Sequence, residues 1–322
     1  MQSIKNIKVL VSLSKNNIIL HCIYIMNIMI SKCDIRKMDA LKILQSLDDK
    51  SVDLILTDPP YYKLLNVNWD NQWKTKEDYL SWLEGIVKEC QRVLKDNGSF
   101  YMFASSEMSW HVEGVVRKYF NVLNHVRWAD KESYAKRACK EQLRRYINNS
   151  EEIIFAEQFI ANGDMSSLHE PIRKYLDDAR IRANLSNKET NIICDTKNTA
   201  SRHYFDTTQW CLPTEGHYNQ LKEHMDLKPY DEIKLEYEAL RRTFKLTSDK
   251  PYNNTWTFKQ TPTRKGRHPC EKPEELISHI IAVSSNENDL VVDPFCGSCI
   301  VPKCCNKMNR KCIAGDLDDT FF

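Results

Sequence analysis

The sequence predicts an α/β fold, in which a mostly parallel, twisted sheet carries helices on its faces and a helical region is inserted between its two halves. Three observations predict it. The chain up to Ser105 alternates helical and strand spacing. The same rhythm returns from Pro273 to Asp316. Between them, Ala129 to Lys265 is mostly helical in pattern and rich in charge, with no internal repeat and no long linker.

Element by element, residues 1–25 read as an extension of uncertain structure, with Met26 an alternative start. Ile18 to Ile30 is an apolar run interrupted by His21 and Asn27, too short to span a bilayer. Ala40 to Leu47 has helical spacing. Val52 to Thr57 is a short β-branched run stopped by Pro59 and Pro60, the pattern of a strand buried on both faces. A polar, aromatic loop with Asn66, Trp69, Asp70 and Trp73 follows. Thr75 and Asp78 have capping-box spacing ahead of Tyr79, Leu83, Ile86, Cys90 and Val93, one face of an amphipathic helix. Asn97-Gly98 is its expected stop, and Ser99 to Ala104 the next strand. At the far end, Pro273 to Val283 is a helix, Asp289 to Asp293 a strand, Phe295 to Ser298 a turn, and Lys311 to Asp316 the last strand after a further helix. The catalytic domain is therefore drawn over residues 26–128 and 266–322, with 129–265 inserted.

Composition narrows the function. With 42% apolar and 28% charged residues, the chain is neither disordered nor a membrane protein. Lys plus Arg number 46 against 44 for Asp plus Glu, so no global basic field exists and a nucleic-acid surface must be a local patch. The 12 cysteines are scattered and no clean signal peptide precedes them, which predicts free thiols in the reducing cytoplasm. The cluster Cys296, Cys299, Cys304, Cys305 and Cys312 matches no zinc spacing, and no metal is expected.

Two constellations carry chemistry. Asp58-Pro59-Pro60-Tyr61 sits at the carboxyl end of a buried strand, where open α/β sheets bind ligands. The exocyclic amine of a nucleobase is a poor nucleophile because its lone pair is delocalised into the ring. Two acceptors, one per N–H, draw the nitrogen toward a tetrahedral shape and free that pair. The carboxylate of Asp58 is one, and the carbonyl of Pro59, steadied by the fixed φ of Pro60, is the other. Tyr61 offers a flat face for an extruded base. The second constellation, Asp293-Pro294-Phe295-Cys296-Gly297-Ser298, also follows an apolar strand. Gly297 lets backbone approach a ligand, and Asp316 at the next strand end can accept both hydroxyls of a ribose. Together they describe a nucleoside cofactor pocket. A third segment, Arg267 to Pro273, brings Lys272, suited to meeting a carboxylate.

In this order, these motifs resemble the permuted β group of amino-methylating DNA methyltransferases, in a phage- or mobile-element-like form. The resemblance covers about residues 30–160 and 255–322. It implies a Rossmann-like methyltransferase fold, S-adenosylmethionine as cofactor, and methylation of adenine N6 or cytosine N4. It places the target base at Asp58 to Tyr61, the cofactor at Asp293 to Ser298 and Asp316, and the methionyl end of the cofactor at Lys272. The family's Gly-Ser-Gly stands here as Gly297-Ser298-Cys299, and a side chain at 299 is expected to strain the turn or crowd the cofactor.

Within the inserted region, Glu170 to Ala183 is helical in pattern and Ser186 with Glu189 has capping-box spacing. Thr199 to Phe205 begins another short helix, and Pro213-Thr214 a fourth. The succession resembles a helix-turn-helix, with Thr199, Ser201, Arg202 and His203 at the start of a recognition helix; a plain helical bundle is the alternative. Lys136, Arg137 and Arg144 in one basic stretch, and Arg264 and Lys265 in another, flank it and suit phosphate contacts. Asp58 favours adenine over cytosine, and a DNA-binding regulator with a decayed cofactor site is the reading from another class. Candidate partners are double-stranded DNA, a second copy of the chain and a separate restriction nuclease, since no nuclease motif occurs; no membrane partner is expected.

Overall fold

The computed structural model describes residues 33–63, 70–129, 141, 144, 146, 148–158, 166–207, 209–248, 251–262, 268 and 270–320. The apolar run 18–30, the extension 1–25, and Lys136, Arg137, Arg264 and Lys265 lie outside them.

The described chain forms β1 (Cys33–Lys37), α1 (Ala40–Gln45), β2 (Val52–Thr57), α2 (Lys76–Val93), β3 (Leu94–Ser105), α3 (Ser109–Val116), β4 (Phe120–Trp128) and β5 (Glu151–Gln158). Helices α4 (Ser166–Arg182) and α5 (Asn187–Ile193), a π-type turn (Ser201–Phe205), α6 (Glu215–Lys222) and α7 (Tyr230–Leu240) follow. The chain then returns through β6 (Thr255–Trp256), α8 (Glu274–Ser284), β7 (Leu290–Asp293), α9 (Ile300–Lys307) and β8 (Lys311–Asp316).

The strands make one sheet in the order β1-β8-β7-β2-β3-β5-β4-β6. Pairing is parallel from β1 across to β3, and β5 runs against both β3 and β4. β2 alternates its apolar side chains between two cores. Val52 and Ile55 join Leu83, Val87 and Phe100 beneath α1, α2 and α3. Leu54 and Leu56 join Ile277, Ile280 and Val301 beneath α8 and α9. From β2 the chain steps one way to β3, and from β7 the other way to β8. The crevice between the carboxyl ends of β2 and β7 is thus a topological switch point, where ligands bind in such sheets.

Several expectations are modified. The capping box at Thr75 is present, its hydroxyl accepting the Asp78 N–H while the Asp78 carboxylate accepts the Thr75 N–H. The helix ends at Val93 rather than at Asn97-Gly98, because Leu94 already pairs with Val52. The next pair is Leu54 with Ser99, so Asn97 and Gly98 fall in an irregularity inside β3 instead of forming a helix cap. The stretch 129–265, expected to be helical, contributes β5 to the middle of the sheet and β6 to its edge. Ile153, Ile154, Phe155 and Ala156 of β5 are buried on both faces, so the sheet extends beyond residue 128 through Gln158. The helices over residues 166–240 pack on a core of their own, with Ile172, Leu176, Tyr204, Tyr218, Leu221 and Ile233 buried in it. No helix among the described residues is long and apolar enough to cross a membrane.

Candidate active site

The parallel strands β2, β7 and β8 end at the same edge of the sheet, and their last residues lead into Asp58, Pro294 and Leu317. The antiparallel β5 begins at that edge, with Glu151 as its first residue. A cavity of about 360 Å³ opens there. Asp58, Pro59, Pro60, Tyr61, Lys272, Asp293, Pro294, Phe295, Cys296, Gly297, Ser298 and Asp316 all line it, so both constellations share one space.

At the β2 end, the Tyr61 hydroxyl donates to Asp58 Oδ1 at 2.7 Å and lies 3.3 Å from Glu151 Oε2. The Tyr61 N–H donates to the buried carboxylate of Asp70 at 2.8 Å, which fixes the turn after the two prolines. Lys272 Nζ stands 2.6 Å from Asp58 Oδ2 and 3.0 Å from Glu151 Oε2. Its side chain is only 7% exposed, and an unpaired ammonium so buried would be costly. Burial alone would lower its pKa, but the carboxylates of Asp58 and Glu151 outweigh that and hold it above the ordinary lysine value. Burial, reinforced by the same two carboxylates, pushes the Tyr61 phenol well up, so Tyr61 acts as a neutral donor. Lys272, expected at the methionyl end of a cofactor, is thus tied to the Asp58 side of the cavity.

At the β7 and β8 ends, Asp293 is buried, with its carboxylate accepting the Phe295 N–H at 3.2 Å. Burial holds its carboxyl well above the usual range. Gly297 has φ +44°, and a Cβ there would come within 3.4 Å of the His268 imidazole. Its N–H donates to Asp316 Oδ2 at 3.1 Å, while Asp316 Oδ1 accepts the Asp318 N–H at 3.1 Å. Each carboxylate oxygen retains a lone pair for a further donor. Phe295 meets Trp82 of α2 edge to face at 5.7 Å, an aromatic wall beside this loop. Cys299, the N-cap of α9, has the left-handed φ of 56°. Among the described residues no cluster of His, Cys, Asp or Glu is arranged to hold a metal ion.

Sequence reading missed Glu151 and Trp82, and gave Asp70 and His268, the latter within the Arg267 to Pro273 segment, no role. Glu151 opens an apolar run, Ile153 to Ala156, whose length and β-branching were the available signal for a buried strand. Trp82 carried none.

The described residues expected to face DNA sit away from this cavity. The expected short helix over Thr199 to Phe205 is present as a continuous helical stretch, α-helical at Thr199 and Ala200 and of π type over Ser201–Phe205, with Tyr204 and Phe205 buried. Asn191 Nδ2 donates to Ser201 Oγ at 2.9 Å, and His203 Nδ1 is 2.8 Å from the Gln209 carbonyl. Both side chains are committed to holding the unit together. Thr199, Arg202 and Arg144 are exposed.

Comparison with known proteins gives the family and the fold. The chain is 26% identical over 295 residues to the DNA adenine methyltransferase YhdJ of Escherichia coli K12, covering 88% of this chain and 78% of that protein. It is 25% identical over 293 residues to the type II methyltransferase M.HpaI of Haemophilus parainfluenzae, covering 88% and 70%. The cytosine-N4-specific PvuII DNA methyltransferase has a similar structure, with a TM-score of 0.51, 16% identity, and 89% and 82% of the two chains covered. The structure of the M1.HpyAVI–SAM complex gives a TM-score of 0.50 at 17% identity, over 90% and 95%. At these identities the structural likenesses speak for the fold alone. The sequence also matches N6_N4_Mtase, described as DNA methylase, from residue 52 to 322. That span begins with β2 and takes in every cavity-lining motif described above, and the chain belongs to this DNA methylase family.

Proposed function

We propose that this chain transfers a methyl group from S-adenosylmethionine to the exocyclic N6 of an adenine flipped out of double-stranded DNA. The observation that carries the reading is the single cavity joining Asp58 and Tyr61 to Asp293, Gly297 and Asp316. The residues fit the cofactor. The volume lies within the usual range of ligand sites, roughly 300–1,000 Å³. The backbone at Gly297 leaves room for close approach, Asp316 can accept from a ribose, and Phe295 with Trp82 offers an aromatic wall. The bound cofactor supplies an electrophilic methyl on a cationic sulfur.

The chain's own residues do the rest. The Asp58 carboxylate and the Pro59 carbonyl accept the two N–H groups of the base amine and free its lone pair toward the methyl group. Lys272 and Tyr61 hold the two oxygens of Asp58 in place, so its orientation is set before the base arrives. Glu151 takes the second hydrogen bond of Lys272, leaving the cluster of two carboxylates and one ammonium with a net negative charge. That charge suits an amine that becomes cationic as it gains the methyl group. The helical unit over 166–240 is the part we assign to target recognition, with Thr199 and Arg202 on its exposed face.

Adenine is favoured by Asp58 at the first motif position and by the name of the E. coli relative. The test is incubation of the purified chain with methyl-labelled S-adenosylmethionine and unmethylated genomic DNA, followed by digestion to nucleosides. N6-methyladenine is expected. N4-methylcytosine would replace the adenine assignment, and cofactor binding without transfer to DNA would overturn the enzyme reading in favour of a regulator.

A further inference from the structure

The loop from Cys296 to Cys299 carries two thiols that methyl transfer does not use. Their Sγ atoms lie 3.3 Å apart. The sequence Cys296-Gly297-Ser298-Cys299 joins strand β7 to the first turn of α9, and a Cys-x-x-Cys pair in such a strand–helix unit is a redox arrangement. Cys296 is buried and lines the cavity, whereas Cys299 is half-buried. Cys299 also occupies a left-handed backbone position, which favours glycine. A strained position here bears a side chain whose visible partner is the other thiol.

We propose that Cys296 and Cys299 form a reversible dithiol–disulfide site that reacts with low-molecular-weight disulfides and controls the cofactor pocket. This rests on the pocket assigned above. The Cys299 thiolate attacks one sulfur of the small disulfide, forming a mixed disulfide. The first small thiol leaves, carrying the proton that Cys299 gave up. Cys296 then attacks Cys299 Sγ, the mixed disulfide breaks, and the second small thiol leaves with the Cys296 proton. Two protein thiols are oxidised and one small disulfide is reduced to two thiols.

The roles follow from the surroundings. Cys299 is the more accessible of the pair, half-buried where Cys296 is buried, and so meets the small disulfide first. Cys296, buried with its Sγ 3.3 Å from that of Cys299, is placed to resolve the mixed disulfide. Bond formation requires the sulfurs to close by about 1.2 Å. The residues between them are Gly297 and Ser298, both lining the cavity, and Gly297 anchors to Asp316 through its N–H. Closing the pair pinches that turn and weakens cofactor binding. By linkage, bound cofactor must protect the thiols to the same degree.

The full-length chain is equilibrated in glutathione buffers of increasing oxidised fraction, digested, and its thiols mapped by mass spectrometry. S-adenosylmethionine affinity is measured by calorimetry on the reduced and oxidised forms. The expected result is a peptide with Cys296 and Cys299 joined, restored by dithiothreitol, and an affinity lower by on the order of tenfold in the oxidised form. Cys299→Ser should bind the cofactor equally in reducing and oxidising buffer. The proposal is overturned if the pair stays reduced throughout, if glutathione caps Cys299 without a Cys296 bond, or if both forms bind the cofactor equally. The mapping is read without cofactor, so a mapped Cys296–Cys299 bond in a chain that fails to bind S-adenosylmethionine when reduced would remove the pocket assignment and the control drawn from it, while an unmapped bond removes the dithiol site itself.

Discussion

Lys272 Nζ lies 2.6 Å from Asp58 Oδ2, closer than to Glu151 at 3.0 Å, although 213 positions of sequence separate Lys272 from Asp58 on either side of the helical unit. The contact joins the motif that ends β2 to the loop that starts α8. It makes the orientation of the candidate catalytic carboxylate depend on a residue from the other half of the sheet.

Asp58→Ala should abolish methyl transfer while leaving S-adenosylmethionine affinity within about twofold. Losing one acceptor that acts in the transition state costs on the order of 3–4 kcal/mol. Single-turnover transfer and calorimetry on the same preparation separate the two effects. Near-normal turnover would remove Asp58 from the chemistry.

Glu151→Gln keeps the shape of the cluster and removes one charge. Lys272 then leans on Asp58 alone, and the charge complementing a cationic amine is lost. Transfer should slow by about tenfold, equivalent to roughly 1.4 kcal/mol of barrier, with cofactor affinity unchanged. A fall in cofactor affinity that matches the fall in rate would instead make Glu151 part of the cofactor site.

Glu151 also shows where sequence reading stops. Asp58 and Asp293 are legible because one follows and the other ends its own buried strand, and local order alone places them at the carboxyl edge. Glu151 reaches the same edge only because β5 is antiparallel, which is a property of the sheet and not of the segment. Charged Glu151, Glu152 and Glu157 around Ile153 to Ala156 made the strand look like part of a charged helical region. The short edge strand β1, Cys-Asp-Ile-Arg-Lys, hides for the opposite reason, since an edge strand can be polar and still pair. The Asn97-Gly98 stop misled because tertiary pairing of Leu94 with Val52 overrode a local signal.

Asp293 gives a pH dependence with a definite sign. Burial raises its carboxyl well above the ordinary value, so the folded chain keeps a proton that the unfolded chain has already lost. Stability from this group is fully present below the unfolded pKa of about 3.9 and is lost as pH rises toward the raised value. Asparagine cannot titrate. The melting temperature of Asp293→Asn, relative to the natural chain without cofactor, should therefore improve from about pH 4 upward. A difference that stays constant across that range would show that Asp293 ionises normally.

Cys299→Gly should raise the melting temperature slightly. A left-handed conformation costs a non-glycine residue roughly 1–2 kcal/mol, and glycine returns roughly 0.5–1 kcal/mol of that through the freedom of its unfolded state. Removing the side chain beside Gly297 and Ser298 should also tighten cofactor binding. Weaker binding by calorimetry would mean that the pocket is built around the Cys299 thiol.

Arg202 tests how target choice is divided from chemistry. It sits in the one-turn element after α5, where its backbone N–H donates to the Asn198 carbonyl at 3.1 Å. Its neighbours Ser201 and His203 are tied down by Asn191 and Gln209, so Arg202 is the long, exposed donor of the turn. If it reads a guanine edge, Arg202→Ala should relax specificity at one base position by about 1–3 kcal/mol. If it meets a phosphate, binding should weaken on all sequences and the salt slope should fall by about one unit. We expect the base contact, because the short Thr199 beside it leaves Arg202 to reach into the groove. Competition binding against a randomised duplex pool, repeated at several salt concentrations, distinguishes the two. Cofactor affinity should not move in either case, since the core of the helical unit is separate from the two cores of the sheet. If sequence preference and salt slope are both unchanged, the turn does not contact DNA and the helical unit is a structural bundle.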